Sequence, residues 1–277
     1  MTAIRLAILD MYMGVANEGM RCIRQLIRRA EADNGVHFAI ETFDVRGQNL
    51  LPCLADFDVF ISSGGPGSPL ASTEAWEMSY FRFIDELFAH NQSRAPKKHL
   101  LLICHSFQLV SRHLGLGKLS KRKSTSFGVM PVHLTQAGYA DPVLYALPEP
   151  FFAVDSRDYQ LTHPDLDQLA VLGAEILCLE KKRPHVALTR AVMAIRFSPE
   201  VLGTQFHPEA DSEGMLRYMR TDERKQQVIT AYGEDKYDEM VRLLADPTAI
   251  GLTEGIVVPT FLRLAVAQLM PTLVSIS

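Results

Sequence analysis

The sequence predicts an α/β protein built on a mostly parallel, doubly wound sheet with helices on both faces. Three observations carry this expectation. Apolar runs of strand length at Ile4–Leu9, Val59–Ile61 and Leu100–Ile103 alternate with stretches of helical period, the order expected of a parallel sheet with crossover helices. The run Leu100-Leu101-Leu102-Ile103 is apolar at every position, as in a strand covered on both faces. The 277 residues are 47% hydrophobic and 22% charged, enough for a full core, which excludes a disordered chain, a fibrous repeat and a polyelectrolyte tail.

The elements follow in order. Ile4–Leu9 reads as the first strand, and Asn17–Ala30 places Met20, Ile23, Leu26 and Ile27 on one helical face. Phe38–Phe43 alternates as a strand, and Val59–Ile61 is a strand ended by Ser62-Ser63-Gly64-Gly65-Pro66-Gly67. Thr73–His90 carries Phe81, Ile84, Leu87 and Phe88 at helical spacing, and Leu100–Ile103 leads into a helix over Phe107–Leu114 that stops at Gly115 and Gly117. From Phe127 to Phe206 short strand-like pieces (Val129–Leu134, Ala170–Leu172, Val186–Leu188, Met193–Phe197 and Val201–Phe206) predict a small antiparallel addition. Beyond Ala210 the sequence is helical. Asp222–Ala231 and Glu234–Leu244 are amphipathic, the second with Tyr237, Met240, Val241 and Leu244 on one face. Asp246-Pro247 breaks the chain, and Pro259 starts a third helix to Met270. In that helix Phe261, Leu262, Leu264, Ala265, Val266 and Leu269 cover most of the circumference, so it must be buried, against a sheet flank or between subunits. The expected division is a domain at 1–219 and a helical C-terminal extension at 220–277, with a homodimer through the extension as one way to bury it.

Charge and cysteine usage narrow the classes. Lys and Arg number 28 against 32 Asp and Glu, and the net charge of -4 argues against a dominant attraction to nucleic acid or to an anionic membrane. The basic run Lys118-Leu119-Ser120-Lys121-Arg122-Lys123 reads as a solvated loop, or as a dock for an acidic partner. Cys22, Cys53, Cys104 and Cys178 form no C-x-x-C pair and are too sparse for a disulfide scaffold. Met1–Asp10 reads as a strand rather than a leader, so a reducing, cytoplasmic setting is expected. The apolar stretch Gly255–Ser277 is interrupted by Pro259, Arg263 and Pro271, which argues against a membrane span. His105 and His113 lack a second ligand at metal spacing, so neither a metal nor a cofactor is expected.

Three segments carry chemistry. Cys104 falls between an apolar strand and a helix. A nucleophile there stands on a sharp turn beside helix N-terminal amides that favour a thiolate, although a buried cysteine ending a strand has the same pattern. In Gly203-Thr204-Gln205-Phe206-His207-Pro208-Glu209 an extended backbone projects His207 and Glu209 to one side, the base and orienter that such a nucleophile needs; a solvated strand end is the alternative. Ser63-Gly64-Gly65-Pro66-Gly67-Ser68-Pro69 lets backbone approach a ligand closely, or is an ordinary tight turn. Asp10 and Gly14 follow the first strand, where a crevice opens in such sheets, or serve only the turn.

Taken in order, the glycine turn, the cysteine elbow and Gln205-Phe206-His207-Pro208-Glu209 resemble the class I (triad) glutamine amidotransferases, most closely the amidotransferase domain of GMP synthase. The resemblance spans about Ile4–Met219 and includes the pair Phe127-Gly128. It implies a flavodoxin-like fold and hydrolysis of glutamine to glutamate and ammonia through a cysteinyl thioester. Cys104 would be the nucleophile, His207 the base and then acid, and Glu209 its orienter. The Gly64-Gly65 turn would stand at the oxyanion, with the amides of Gly65 and His105 as donors. Gln108, Phe127 and Asp158 would belong to the glutamine pocket. Glutamine would be the small-molecule partner, and a separate synthetase subunit would take the ammonia, because the Ser-Gly-Gly-x-Asp-Ser of an ATP pyrophosphatase is absent.

The sequence also departs from the family. Leu102 and Ser106 stand where the elbow has glycines, and Leu102 adds bulk inside the sheet. Asp155-Ser156-Arg157-Asp158 replaces Ser-His-x-Asp and matches it only at Asp158; Arg157 reads as a solvated charge or as a partner for a substrate carboxylate. These departures keep two other functions open. One is a triad hydrolase or acyltransferase acting on another γ-glutamyl or acyl compound. The other is a non-catalytic binding module on the same fold.

Overall fold

The computed structural model describes residues 3–183 and 188–271. The chain runs β1 (Ile4–Asp10), α1 (Glu18–Asn34), β2 (Phe38–Asp44), α2 (Val45–Gln48), β3 (Val59–Ser62), α3 (Ala75–Ser93), β4 (His99–Ile103) and α4 (His105–His113). It continues through β5 (Lys118–Leu134), α5 (Gln136–Ala140), β6 (Phe151–Thr162), α6 (Leu166–Leu172), β7 (Glu175–Glu180), β8 (Val192–Ser198) and β9 (Val201–Thr204). Four helices follow: α7 (Ser212–Met219), α8 (Asp222–Tyr232), α9 (Glu234–Ala245) and α10 (Pro247–Leu269).

Among the described residues, nine strands join one sheet in the order β2-β1-β3-β4-β9-β8-β7-β5-β6. The first five in that order are parallel, and β9-β8-β7-β5-β6 pair antiparallel. The expected α/β class is therefore observed, with the antiparallel addition continuing the main sheet at one end. The period of two along β1 divides the core: Leu6 and Ile8 join α1 and α10 on one face, while Ala7 and Leu9 join α3 and α4 on the other. Helix α1 begins where the Asn17 side chain accepts from the Met20 amide, and ends at Gly35 in the left-handed conformation.

Several expectations are corrected. Ala170–Leu172 is not a strand but the end of α6, because Asp165 caps the segment and Gly173 takes the left-handed C-cap. The basic run is not a loop: it opens β5, with Lys118–Lys121 paired to Tyr159–Thr162 of β6, and Arg122 turns inward to Gln160 and Glu180. The strands β6 and β7 went unrecognised, since charged and polar residues at Asp155–Gln160 hide the apolar positions of β6. The proposed piece Val186–Leu188 falls largely outside the described residues, and Leu188 is in a loop. Pro259 does not start a helix but lies inside α10, which begins at Pro247, where a proline at the first turn has no amide to lose.

By length and composition Ile250–Leu269 could cross a membrane. In this structure Val257, Val258, Phe261, Leu262, Ala265 and Val266 are buried in the same cluster as β1 and α1, so the apolar side is covered within the chain. The shorter helices α7–α9 form a separate cluster with the β5–β6 ribbon, in which Phe127, Val129 and Val154 meet Met219, Tyr237 and Met240. Leu262→Ala should therefore lower unfolding stability by about 2–5 kcal/mol in urea melts, whereas Met78→Ala, at an exposed site, should stay within about 0.5 kcal/mol of the parent.

Candidate functional site

At the carboxyl end of β4 the chain turns sharply. Cys104 has φ 48 and ψ −96, a left-handed backbone unusual for a residue with a Cβ and costing on the order of 1–3 kcal/mol. Two backbone bonds hold it: the Cys104 amide donates to the Thr204 carbonyl at 2.7 Å, and the Cys104 carbonyl accepts from Gln108 at 3.0 Å as α4 begins. The helix thus starts at His105 rather than Phe107, directly behind the thiol.

Parallel pairing of Ile103 with Thr204 brings the segment after β9 alongside the elbow. His207 is fixed by its amide donating to the Val154 carbonyl at 2.9 Å, and its Nδ1 lies 2.8 Å from Glu209 Oε1. The Cys104 thiol faces the Ser156 carbonyl at 3.8 Å and accepts from Gln205 Nε2 at 3.6 Å, and it acts on the His207 ring electrostatically. Burial alone lowers the proton affinity of His207, but Glu209 and Cys104 more than offset this, and the ring is held well above the ordinary histidine range. Glu209 is 1% exposed, and its Oε2 has no protein partner. The structure therefore brings together the three residues that the sequence singled out.

The glycine turn abuts them. A Cβ on Gly64 would lie 2.9 Å from His207 Cε1 and 3.6 Å from Cys104 Cβ, and one on Gly65 would lie 2.7 Å from the Met11 carbonyl, so no side chain fits at either position. His105 is buried with Nε2 unpaired; burial, aided by Arg46 and Arg112, pushes it down to about 3, so the ring is neutral. A cavity of about 900 Å³ opens over Cys104, His207 and Glu209 and is also lined by Gly65, Phe127 and Asp158. Gln108 reaches the cavity too, but its amide nitrogen is already given to Gln205 Oε1 at 2.9 Å and to the Tyr159 carbonyl at 3.1 Å. Asp158 is exposed and accepts from Thr125 Oγ1. Phe127 carries the Arg224 guanidinium 3.8 Å above its ring centroid, so α8 forms part of the wall.

The departures from the family pattern have physical explanations. Leu102 pairs with Gly203, where a Cβ would meet Phe197 at 2.7 Å and Phe107 at 2.9 Å. The glycine lost from one strand is thus supplied by its neighbour. Ser106 is fully buried and donates to the Ser63 carbonyl at 2.6 Å. Arg157 is not solvated: its side chain is 1% exposed and its Nε donates to both Asp155 oxygens at 3.0 and 2.9 Å. Asp10 serves its turn, accepting from the amides of Tyr12 and Gly14. Among the described residues no group of three or more His, Cys, Asp or Glu side chains could hold a metal ion.

Sequence reasoning missed Tyr12 and gave Gln205 no role. The Tyr12 phenol is raised by burial and then by Glu209 and Cys104, and its hydroxyl lies 3.0 Å from the Cβ position of Gly64. Its signal was an aromatic residue two places after Asp10, at the carboxyl end of β1. Gln205 donates to Cys104 Sγ at 3.6 Å and was legible only as a letter of the motif.

Because the His207 proton affinity is raised on folding, its contribution to stability is complete below about pH 6.5, the unfolded value, and is lost as pH rises through the folded value. Glu209→Gln removes the charge that most opposes burial, leaving only Cys104 to raise the ring. The His207 ring should then titrate below its wild-type value by NMR, and the high-pH loss of stability should shrink in urea melts.

The class-I glutamine amidotransferase family model matches residues 18–223. A glutamine amidotransferase-like protein, YfeJ of Salmonella typhimurium, is 31% identical over 98 residues, covering 35% of this chain and 40% of that protein. Aminodeoxychorismate synthase of Saccharomyces cerevisiae is 27% identical over 206 residues, 73% of this chain and 24% of that enzyme. This chain thus spans less than half the length of either curated relative. A glutamine amidotransferase from Thermotoga maritima has the same fold, with a TM-score of 0.68, 14% identity, and 96% and 99% of the two chains covered. With the family match extending over most of the sequence, the chain belongs to the class-I glutamine amidotransferases.

Proposed function

We propose that the protein hydrolyses glutamine to glutamate and ammonia through a thioester on Cys104, and that a separate synthetase uses the ammonia. The observation that carries this reading is that Glu209 holds His207 Nδ1 at 2.8 Å while His207 and Cys104 both abut Gly64 and line one cavity, which leaves the other ring nitrogen for the thiol.

The steps follow from the positions of the groups. Cys104, its proton already held on His207, attacks the side-chain amide carbon of glutamine as a thiolate. The carbonyl oxygen becomes an oxyanion, which the amides of Gly65 and His105 would hold; one such donor is worth about 10²–10³ in rate. The C–N bond then breaks as His207 returns the proton to the departing nitrogen, releasing ammonia. Water, deprotonated by His207, attacks the thioester, glutamate leaves, and the thiol is regenerated. Glu209 keeps the imidazole oriented and offsets its positive charge.

The likeness to the GMP synthase amidotransferase domain supports that enzyme's partner chemistry as the finer reading, because the three motifs stand in the same order. The curated relative aminodeoxychorismate synthase supports a different acceptor. The four cysteines are free, which fits a reducing cytoplasm. The extension at 220–277 is assigned to the same unit as the catalytic domain, since Arg224 walls the cavity and α10 lies in the core. A homodimer is then not needed to bury it.

A second reading is favoured by the cavity, whose volume of about 900 Å³ is several times what one glutamine needs: the scissile amide belongs to a larger γ-glutamyl compound. Ammonia release from millimolar glutamine should be readily measured with the full chain, and Cys104→Ala should reduce it by about 10⁴-fold. A wild-type protein silent on glutamine but trapping a γ-glutamyl conjugate as a Cys104 adduct supports the second reading. Silence on both overturns the amidase reading.

A further inference from the structure

The Ser63-Gly64-Gly65 turn is held at two successive peptide planes by buried hydroxyls. The Ser63 carbonyl, which belongs to the Ser63–Gly64 peptide, accepts from Ser106 Oγ at 2.6 Å. The Gly64 carbonyl, which belongs to the Gly64–Gly65 peptide, accepts from Ser63 Oγ at 2.9 Å, and that oxygen in turn accepts from the Met11 amide at 3.0 Å. A peptide is planar and trans, so fixing the direction of its carbonyl also fixes the N–H on its opposite edge. The amides fixed in this way are those of Gly64 and Gly65.

Behind Ser106 the direction of the hydrogen bonds is forced. A carbonyl can only accept, so the single Ser106 hydroxyl proton goes to Ser63. Ser106 Oγ, 2.7 Å from Ser62 Oγ, must then accept from Ser62. Ser62, having given its proton, must accept from Tyr80 OH at 2.9 Å. The result is a one-way chain from Tyr80 through Ser62 and Ser106 to the Ser63 carbonyl. All four residues are fully buried, where an unmade bond is expensive and each link polarises the next. Burial pushes the Tyr80 phenol up to about 12, so its proton is present at every working pH. Ser106 stands where the family elbow has a glycine, which has no hydroxyl to give.

We propose that Ser106, backed by Ser62 and Tyr80, is a positioning residue for the oxyanion hole: by fixing the Ser63–Gly64 peptide it anchors the turn that aims the Gly65 amide at the tetrahedral oxygen formed on Cys104. This rests on the amidase reading above, and the test separates the two. The glycine turn and the elbow helix, 43 residues apart at Ser63 and Ser106, are thereby locked into one rigid unit.

Ser106→Ala is compared with the parent for glutamine hydrolysis and for alkylation of Cys104 by iodoacetamide. Alkylation displaces iodide at a tetrahedral carbon and develops no oxyanion, so it reports the thiol but not the turn. The expected result is a fall in kcat of about 10–100-fold with KM within twofold, since small misplacements cost on this scale. The alkylation rate should stay within twofold. Tyr80→Phe, which removes only the last donor of the chain, should give a smaller fall with the same pattern and stands in if Ser106→Ala does not fold. An unchanged kcat, or a parallel loss of alkylation, overturns the proposal while leaving the amidase reading intact. A wild-type protein that alkylates but turns over neither glutamine nor a γ-glutamyl anilide overturns both.

Discussion

The left-handed backbone at Cys104 is the constraint from which the rest of the site follows. A residue with a Cβ adopts that conformation only when its neighbours over-determine it. Here β4 lies between β3 and β9, its last amide is taken by Thr204, and α4 starts at the next residue. The strand cannot continue and the helix cannot start earlier, so the thiol is left at the junction. In an open parallel sheet the carboxyl ends of adjacent strands share one edge, which is why the turn after β3, the elbow after β4 and the segment after β9 meet there.

Burial then sets the electrostatics of that edge. Glu209 is buried and His207 and Tyr12 are largely screened from water, conditions in which a charge without a partner is strongly penalised. The charge on Glu209 is useful because it is buried beside the imidazole. The same logic operates a few ångströms away with the opposite result: His105 has no carboxylate beside it and two arginines nearby, and stays neutral. Two histidines of one site are thus given different protonation tendencies by their neighbours rather than by their own chemistry.

The helices after β9 complete the molecule in two ways. Helix α10 covers the sheet face that α1 leaves open, while α7–α9 pack on the β5–β6 ribbon and bring Arg224 over Phe127. A Thr253 hydroxyl donating to the Phe152 carbonyl joins α10 to β6. The described part of the C-terminal helices thus packs on the same sheet that carries the cavity over Cys104.

The parallel half of the fold was legible because its strands are apolar throughout and its helices repeat their apolar residues at a fixed period, as in Met20, Ile23, Leu26 and Ile27. Cys104, His207 and Glu209 were legible because motif spacing survives in one dimension. The antiparallel half was not, since β6 buries Asp155 and Arg157 as an ion pair and so carries no apolar pattern over that stretch. Composition along the chain could not distinguish Arg157 from a solvated charge, and helical period could not distinguish the end of α6 from a strand. The sequence by itself determined the elements of the parallel half and singled out Cys104, His207 and Glu209, which depend on local propensity and residue type. Only the tertiary structure decided that Gly203 makes room for Leu102, that Ser106 holds the glycine turn and that Tyr12 enters the site, because each depends on atoms that are distant in the chain and close in space.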